Sequence, residues 1–270
     1  MEDKPKGEEN FKQMEILKIE KLGINFGGLA ALKDINFSVK EGEIVGLIGP
    51  NGSGKTTFFN LITGIYQPTS GNIFFHGENV NGLSSNEITK RGIARTFQNT
   101  RLFWGLSALD NVLLGMHRWE SYSWLISMFG RKYTEKKLKE NIEESIILFN
   151  YFSKELVDKM YQKAKDLSQA DKKRVEICRA LASRPKLLLL DEPSAGMNPE
   201  ETTELMDDIK KIKIKKPDLS IILIEHDMRV IKGSTQRVIV FNHGIKIFEG
   251  TFEKASNNQE VIEAYLGGEI

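Results

Sequence analysis

Short apolar runs separated by polar turns set the pattern of this chain from about residue 14 onward. Ile35, Phe37 and Val39 alternate with Asn36 and Ser38, the period-two signature of a half-buried strand. Ile44 to Ile48 is nearly continuous apolar, as a strand covered on both faces is. A glycine-rich stretch at 49–54 leads into a helical segment at 55–64. Asn72 to His76 and Gly92 to Phe97 predict two further strands. Between about 101 and 165 the pattern turns helical: Leu106 to Met116, a Trp- and Phe-rich stretch at 119–130, and a Lys/Glu-rich helix at 134–150. From 187 strands and helices alternate: Leu187 to Leu190, helix 199–213, Ser220 to Ile224, helix 227–233, Arg237 to Phe241. That alternation predicts βαβ units and a largely parallel sheet, an α/β core interrupted by a helical insert. No internal repeat or low-complexity segment interrupts it.

Composition narrows the class. The chain has 270 residues, 40% hydrophobic and 28% charged, as a globular domain does, so a disordered or collagen-like chain is excluded. Length alone is a soft prior for about two domains. The net charge of +1 gives no field that points to nucleic acid or anionic lipid. Cys178 is the sole cysteine, so no intrachain disulfide forms and no Cys-rich zinc site exists; a reducing compartment is expected. Residues 1–13 read as a flexible charged tail rather than a signal peptide. No apolar run reaches the ~20 residues of a membrane span, so any span belongs to another chain.

The chemistry concentrates at three places. Gly49-Pro50-Asn51-Gly52-Ser53-Gly54-Lys55-Thr56 matches G-x-x-x-x-G-K-[ST] between a buried strand and a helix. The glycines let backbone N–H groups curl around phosphate oxygens, and the helix N-terminus favours their charge. Lys55 would reach the β- and γ-phosphates and Thr56 would offer its hydroxyl to Mg²⁺. Asp191-Glu192 closes an apolar strand, at the end where parallel sheets bind ligands. Asp191 suits Mg²⁺, and Glu192 suits accepting a proton from attacking water; two helix-capping acids are the structural alternative. His226 follows the apolar run Ile221 to Ile224 and is placed to contact a γ-phosphate. His76, His117 and His243 lack such context and read as structural.

The order of phosphate loop, Arg95-Thr96-Phe97-Gln98, Leu167-Ser168, Leu190-Asp191-Glu192-Pro193 and Glu225-His226-Asp227 resembles ABC-transporter ATP-binding subunits over about 14–268. RTFQNTRLF at 95–103, AGMNP at 195–199, IEHDM at 224–228 and VIEAYLG at 261–267 resemble the branched-chain amino-acid uptake type. The resemblance implies a P-loop NTPase core over 14–270 as one domain, with an N-terminal antiparallel β region and a helical subdomain at about 101–183. It implies ATP and Mg²⁺ as cofactors, and two ATPs sandwiched between two ATP-binding subunits. It adds Thr57 to the ATP contacts, Phe26 as the ring stacked on adenine, and Gln98 as sensor of Mg²⁺ and attacking water. Glu192, His226 and Gln98 would form the catalytic set; Thr56, Gln98 and Asp191 would face the metal. A core phenylalanine is the alternative for Phe26.

The family signature, L-S-G-G-Q or near it, departs here to Leu167-Ser168-Gln169-Ala170-Asp171. Ser168 can still meet a γ-phosphate in trans, but the Ala170 Cβ crowds that approach and Asp171 adds negative charge near an anion. The same residues read as a capping box opening helix 168–183, and Lys172, Lys173 and Arg174 would offset the charge. Pairing with a different ATPase subunit bearing an intact signature is therefore expected. Asn198 stands where many relatives carry Asp. Leu102-Phe103-Trp104 suggests contact with a membrane subunit. Trp119, Tyr122, Trp124, Leu125 and Phe129 suggest packing or membrane proximity. Arg131, Lys132, Lys136, Lys137 and Lys139 read as a solvated face. Lys210, Lys211, Lys213, Lys215 and Lys216 close a helix before Pro217.

The expected protein is an importer ATPase at the cytoplasmic membrane face, working with two permeases, indirectly with a binding protein, and without nucleic acid. Rivals are an exporter ATPase of lipopolysaccharide type, a soluble ABC ATPase acting on nucleic acid or ribosomes, and a nucleotide-gated module with little turnover.

Overall fold

The polar interruptions of the chain resolve into two sheets and the helices that cover them. The computed structural model describes residues 14–116 and 131–266. The tail at 1–13, His117 and the aromatic stretch at 119–130 lie outside the described residues, as do the side chains of Arg131 and Lys132.

Four strands form an antiparallel sheet in the order β2-β1-β4-β5: β1 (Glu15–Phe26), β2 (Leu29–Lys40), β4 (Ser70–Phe75) and β5 (Glu78–Asn79). The second sheet has six strands in the order β10-β9-β3-β8-β7-β6. These are β3 (Ile44–Ile48), β6 (Ile93–Arg95), β7 (Leu187–Asp191), β8 (Ser220–Ile224), β9 (Arg237–Asn242) and β10 (Ile245–Gly250). All its neighbours run parallel except β10, which pairs antiparallel with β9.

The continuous apolar runs have a simple consequence in this sheet. Side chains alternate between faces along a strand. Val45, Leu47, Leu187, Leu189, Ile222, Ile224, Ile239 and Phe241 enter the core shared with the antiparallel sheet and α1 (Lys55–Ile62). Ile44, Ile48, Leu188, Leu190, Ile221, Leu223, Val238 and Val240 enter a second core on the opposite face. That core includes residues of α3 (Ala108–Met116), α4 (Arg131–Asn150), α6 (Gln169–Ala182) and α7 (Pro199–Lys215). Short helices α2 (Ser85–Arg91), α5 (Lys154–Asp158), α8 (Met228–Ser234) and α9 (Phe252–Ser256) and the C-terminal α10 (Gln259–Leu266) complete the described chain.

Several expected boundaries move. The strand expected at 72–76 starts at Ser70 and ends at Phe75, because His76 turns into the left-handed region at φ 48°. The strand expected at 92–97 keeps only Ile93 to Arg95; Gly92 instead caps α2. The Lys/Glu-rich helix begins at Arg131, and α7 extends to Lys215. Cys178 is fully buried, and burial pushes its thiol well above the ordinary value.

Candidate active site

Parallel strands deliver their carboxyl ends to one edge of the sheet, where open α/β folds bind ligands. Here β3, β7 and β8 are adjacent in register, with Asp191 opposite Ile224. The phosphate loop therefore emerges beside Glu192 and His226, although these lie far apart in sequence.

The loop closes by backbone contacts only glycine permits. Gly49 has φ 148°, and a Cβ there would stand 2.1 Å from the Phe241 carbonyl oxygen. Gly54, at φ 103°, is the N-cap of α1 and supplies no side-chain cap. The first turn of α1 also carries no acidic residue, so its positive end remains for an anion. Lys55 is buried and donates through Nζ to the carbonyls of Gly49 and Pro50 at 2.7 and 2.9 Å. Burial lowers its pKa from the ordinary lysine value, while the charges of Glu192 and Asp191 oppose that shift.

A cavity of about 670 Å³ lies over this loop. Asn51, Gly52, Ser53, Gly54, Lys55, Thr56, Thr57, Gln98, Glu192 and His226 all line it. Gly49 and Pro50 instead anchor the Lys55 ammonium from the loop's start. Glu192 has a left-handed backbone, φ 46°, and its N–H donates to Ile224 O at 3.0 Å. Gln98 Nε2 donates to Glu192 Oε2 at 2.6 Å, and His226 Nε2 lies 2.6 Å from Glu192 Oε1. An ionised carboxylate only accepts, so Nε2 of His226 carries the proton in this contact. Glu192 is thus held between two polar side chains at the cavity wall. The arrangement can bind a polyphosphate and present a carboxylate to water.

Asp191 sits beneath that wall. It is buried, and its Oδ2 accepts from Arg95 Nη2 at 2.6 Å. Arg95 also reaches Asn60 Oδ1 at 2.7 Å and lies over the rings of Phe59 and Phe97. The sequence singled out Arg95 only as part of a motif; its apolar neighbours gave no sign of a buried ion pair.

Phe26 is 44% exposed, which rules out a core role. It stands off the cavity wall and meets Tyr66 edge-on with ring centroids 5.1 Å apart. Its partner in the hairpin, Leu29, lines the cavity with Ala30 and Ala31. His243, read as structural from the sequence, also lines the cavity, with Gly244. The turn is tied to the loop by Gly244 N–H to Ser53 O at 3.1 Å. A histidine between two strands carries no local signal of such a position.

The signature residues lie elsewhere: none of Ser168, Gln169, Ala170 and Asp171 lines this cavity. Ser168 caps α6, its Oγ accepting from Asp171 N–H at 3.0 Å. The expected reciprocal half of a capping box does not form. Asp171 is buried and directs its carboxylate to Lys159 at 2.8 Å and Arg174 at 3.5 Å. The expectation that Asp171 presents charge to a partner's ATP is therefore corrected: its charge is neutralised inside the protein. The expected offset by the following cations holds for Arg174, which pairs with Asp171, and fails for Lys173. Lys173 is buried against Glu176 and the Phe97 carbonyl, and Arg174 engages Asp208 and Glu204.

A glycine-rich loop between a buried parallel strand and an uncapped helix, with an acidic strand end beside it, defines a P-loop nucleotide site. The model for ABC transporters matches residues 32–195, and the model for the branched-chain amino acid ATP-binding cassette transporter matches residues 246–270. The chain belongs to the ABC-transporter ATP-binding family, and it is an ATPase. It is 38% identical over 252 residues to the high-affinity branched-chain amino acid transport ATP-binding protein BraF of Pseudomonas aeruginosa, covering 93% of this chain and 98% of that protein. It is 36% identical to LivG of Escherichia coli over the same shares. The ADP conformation of an ABC-transporter ATP-binding cassette superposes with a TM-score of 0.81 at 31% identity, covering 94% and 99% of the two chains. A dimeric post-hydrolysis cassette bound to ADP and Pi gives 0.72 at 27% identity, covering 87% and 98%. No helix among the described residues is long and apolar enough to cross a membrane.

Proposed function

We propose that this protein is the ATP-hydrolysing subunit of an importer for branched-chain or other hydrophobic amino acids, peripheral to the cytoplasmic membrane face. The observation that carries the chemistry is Glu192, held by Gln98 and His226 at the wall of the phosphate-loop cavity. The import reading is supported by the C-terminal match and by the relatives named for branched-chain amino acid transport. These favour import over the exporter, ribosomal and low-turnover readings.

In this reading Lys55 and the loop amides of 49–57 hold the β- and γ-phosphates, and Phe26 stacks on adenine beside Leu29. Glu192 accepts a proton from the attacking water. His226 fixes the Glu192 carboxylate and faces the γ-phosphate, while Gln98 joins that carboxylate to the segment reaching the membrane subunits. Thr56 and Gln98, which line the cavity, would hold Mg²⁺, and Asp191, bonded to Arg95 beneath the wall, would reach it through water. The fit is that of an oxygen donor set shared with phosphates and water; among the described residues no cluster of three His, Cys, Asp or Glu offers an all-protein cage. The ion supplies charge neutralisation on the phosphates when bound.

Residues 14–270 act as one domain, with 101–183 as the helical subdomain. Two permeases receive the motion, and a substrate-binding protein acts beyond them. The second ATP-binding subunit is a different chain. The support is Ala170, buried where the family carries glycine; Asp171 no longer adds to it. Ser168 of this chain meets the partner's ATP.

The test is affinity capture from native membranes of tagged Glu192→Gln with ATP, followed by mass spectrometry. Two permease-type chains and a second ATP-binding chain are expected. Ribosomal or DNA-associated proteins in their place would overturn the transport reading, and a homodimer on the permeases would overturn the heteromeric one.

A further inference from the structure

Beyond the last paired residues, Asp191 and Ile224, strands β7 and β8 separate into two turns that carry Glu192 and His226. Two contacts hold these turns together besides the Glu192–His226 contact itself. One is Glu192 N–H to Ile224 O at 3.0 Å. The other runs through Glu225. Its Oε1 accepts from Ser194 N–H at 2.8 Å, and its Oε2 accepts from the backbone N–H of His226 at 3.3 Å. Pro193 has no N–H, so Ser194 supplies the first amide after Glu192 that can be tied down.

We infer that Glu225 is a positioning residue for hydrolysis: its carboxylate bridges the turn after Glu192 to the backbone of His226 and so fixes the Glu192–His226 pair. The inference rests on the assignment of hydrolysis to those two residues.

Three observations converge on it. Glu225 is 4% exposed, and a carboxylate in that setting is unfavourable unless it makes hydrogen bonds an apolar residue cannot. Its bonds to Ser194 and His226 go to the two turns that the chemistry must keep in register. Glu192 has a left-handed backbone, a conformation that persists only where the surroundings over-determine it. Burial, with the nearby Glu192 charge, also pushes the Glu225 pKa above the ordinary value, as a carboxyl kept for its geometry would show.

The test uses the complex recovered from membranes, with Glu225→Ala, Glu225→Gln and Glu192→Gln in parallel. Turnover is measured against ATP concentration, and melting temperature is recorded. Glu225→Ala should lower kcat by roughly 10- to 100-fold with KM within about twofold, since misplacement alone has effects of that size. Glu225→Gln keeps a carbonyl acceptor for the Ser194 amide but turns its NH₂ toward the His226 N–H, so its kcat should lie between that of Glu225→Ala and that of the unaltered protein. Unaltered kcat in Glu225→Ala, or a rise confined to KM, overturns the inference; so does a folded Glu225→Gln as slow as Glu225→Ala. If Glu225→Ala does not fold, Glu225→Asp serves, because it keeps the charge but withdraws the acceptor by one methylene. Reduced kcat at unchanged KM then supports the tie, and unaltered kcat overturns it. Full turnover in Glu192→Gln would instead overturn the underlying assignment; an inactive Glu192→Gln beside a fully active Glu225→Ala would overturn the positioning role alone.

Discussion

Two helix starts in this protein, α1 and α6, show opposite solutions to the same problem. Each begins with backbone N–H groups that its own helix cannot satisfy. At α1 the cap is Gly54, no side chain bonds the first turn, and no acid lies in it. At α6 the cap is Ser168, bonded to the Asp171 amide, and Asp171 is itself locked by Lys159 and Arg174. Most other helix starts side with α6: Ser84, Ser153, Asn198 and Thr251 each cap their own. Among the α-helices whose starts lie wholly within the described residues, the one without a side-chain cap is α1, which faces the cavity. An anion site at a helix start is thus marked by what the protein withholds, and a near-signature sequence elsewhere can be a well-satisfied helix cap.

Charge follows the same division, and the division can be broken by substitution. The largest effect is expected where charge is fully internal. Arg95→Ala leaves Asp191 buried without its partner and should lower stability to urea by about 3–5 kcal/mol. A loss under about 1 kcal/mol would show that Asp191 is solvated from the cavity side. Next is Lys55→Ala, where charge faces a ligand. ATP affinity should fall roughly 100-fold, the worth of a charged hydrogen bond. Stability without nucleotide should shift by less than about 1 kcal/mol, because desolvation of the ammonium offsets its two bonds. Equal losses in both would erase the contrast.

Asp171→Ala should then cost about 1–2 kcal/mol of stability while ATP affinity of the isolated chain stays unchanged, since its partners lie within the helical region. The smallest effect is a pH dependence. Glu225 has a pKa raised by burial, so its favourable contribution is complete below the ordinary value and disappears as pH rises through the raised one. Glu225→Gln should therefore gain stability relative to the unaltered protein as pH rises through that acid window, and the difference should level off above it. Urea melts at several pH values check this; a difference independent of pH would contradict the burial of an ionisable carboxyl.

What the sequence made legible was chemistry written in short, fixed spacings. The phosphate loop, Asp191-Glu192 and His226 stand out because apolar strands end directly at them, and the parallel register brings them to one edge. The long β1 was less legible. Its pairing is broken by register shifts, and Lys21 adopts φ 47°, so no clean alternation runs through Glu15 to Phe26. β10 was missed too; it is an edge strand whose residues are only half-buried or exposed. Directions of side chains were not legible at all. Nothing local says that Asp171 points inward, that His243 reaches the phosphate loop, or that Glu225 bridges two turns. Those facts arise from neighbours brought together by the fold, and they are where the structure corrected or extended the reading.

The central claim is that Glu192, between Gln98 and His226, acts on water while the α1 loop holds ATP. The most direct measurement is ATP retention and ATP turnover, side by side, for Glu192→Gln in the assembled complex. ATP should be retained as tightly as in the unaltered protein, with turnover reduced by roughly 10²- to 10⁴-fold, the usual contribution of a general base. Undiminished turnover, or loss of ATP binding along with turnover, would contradict the account.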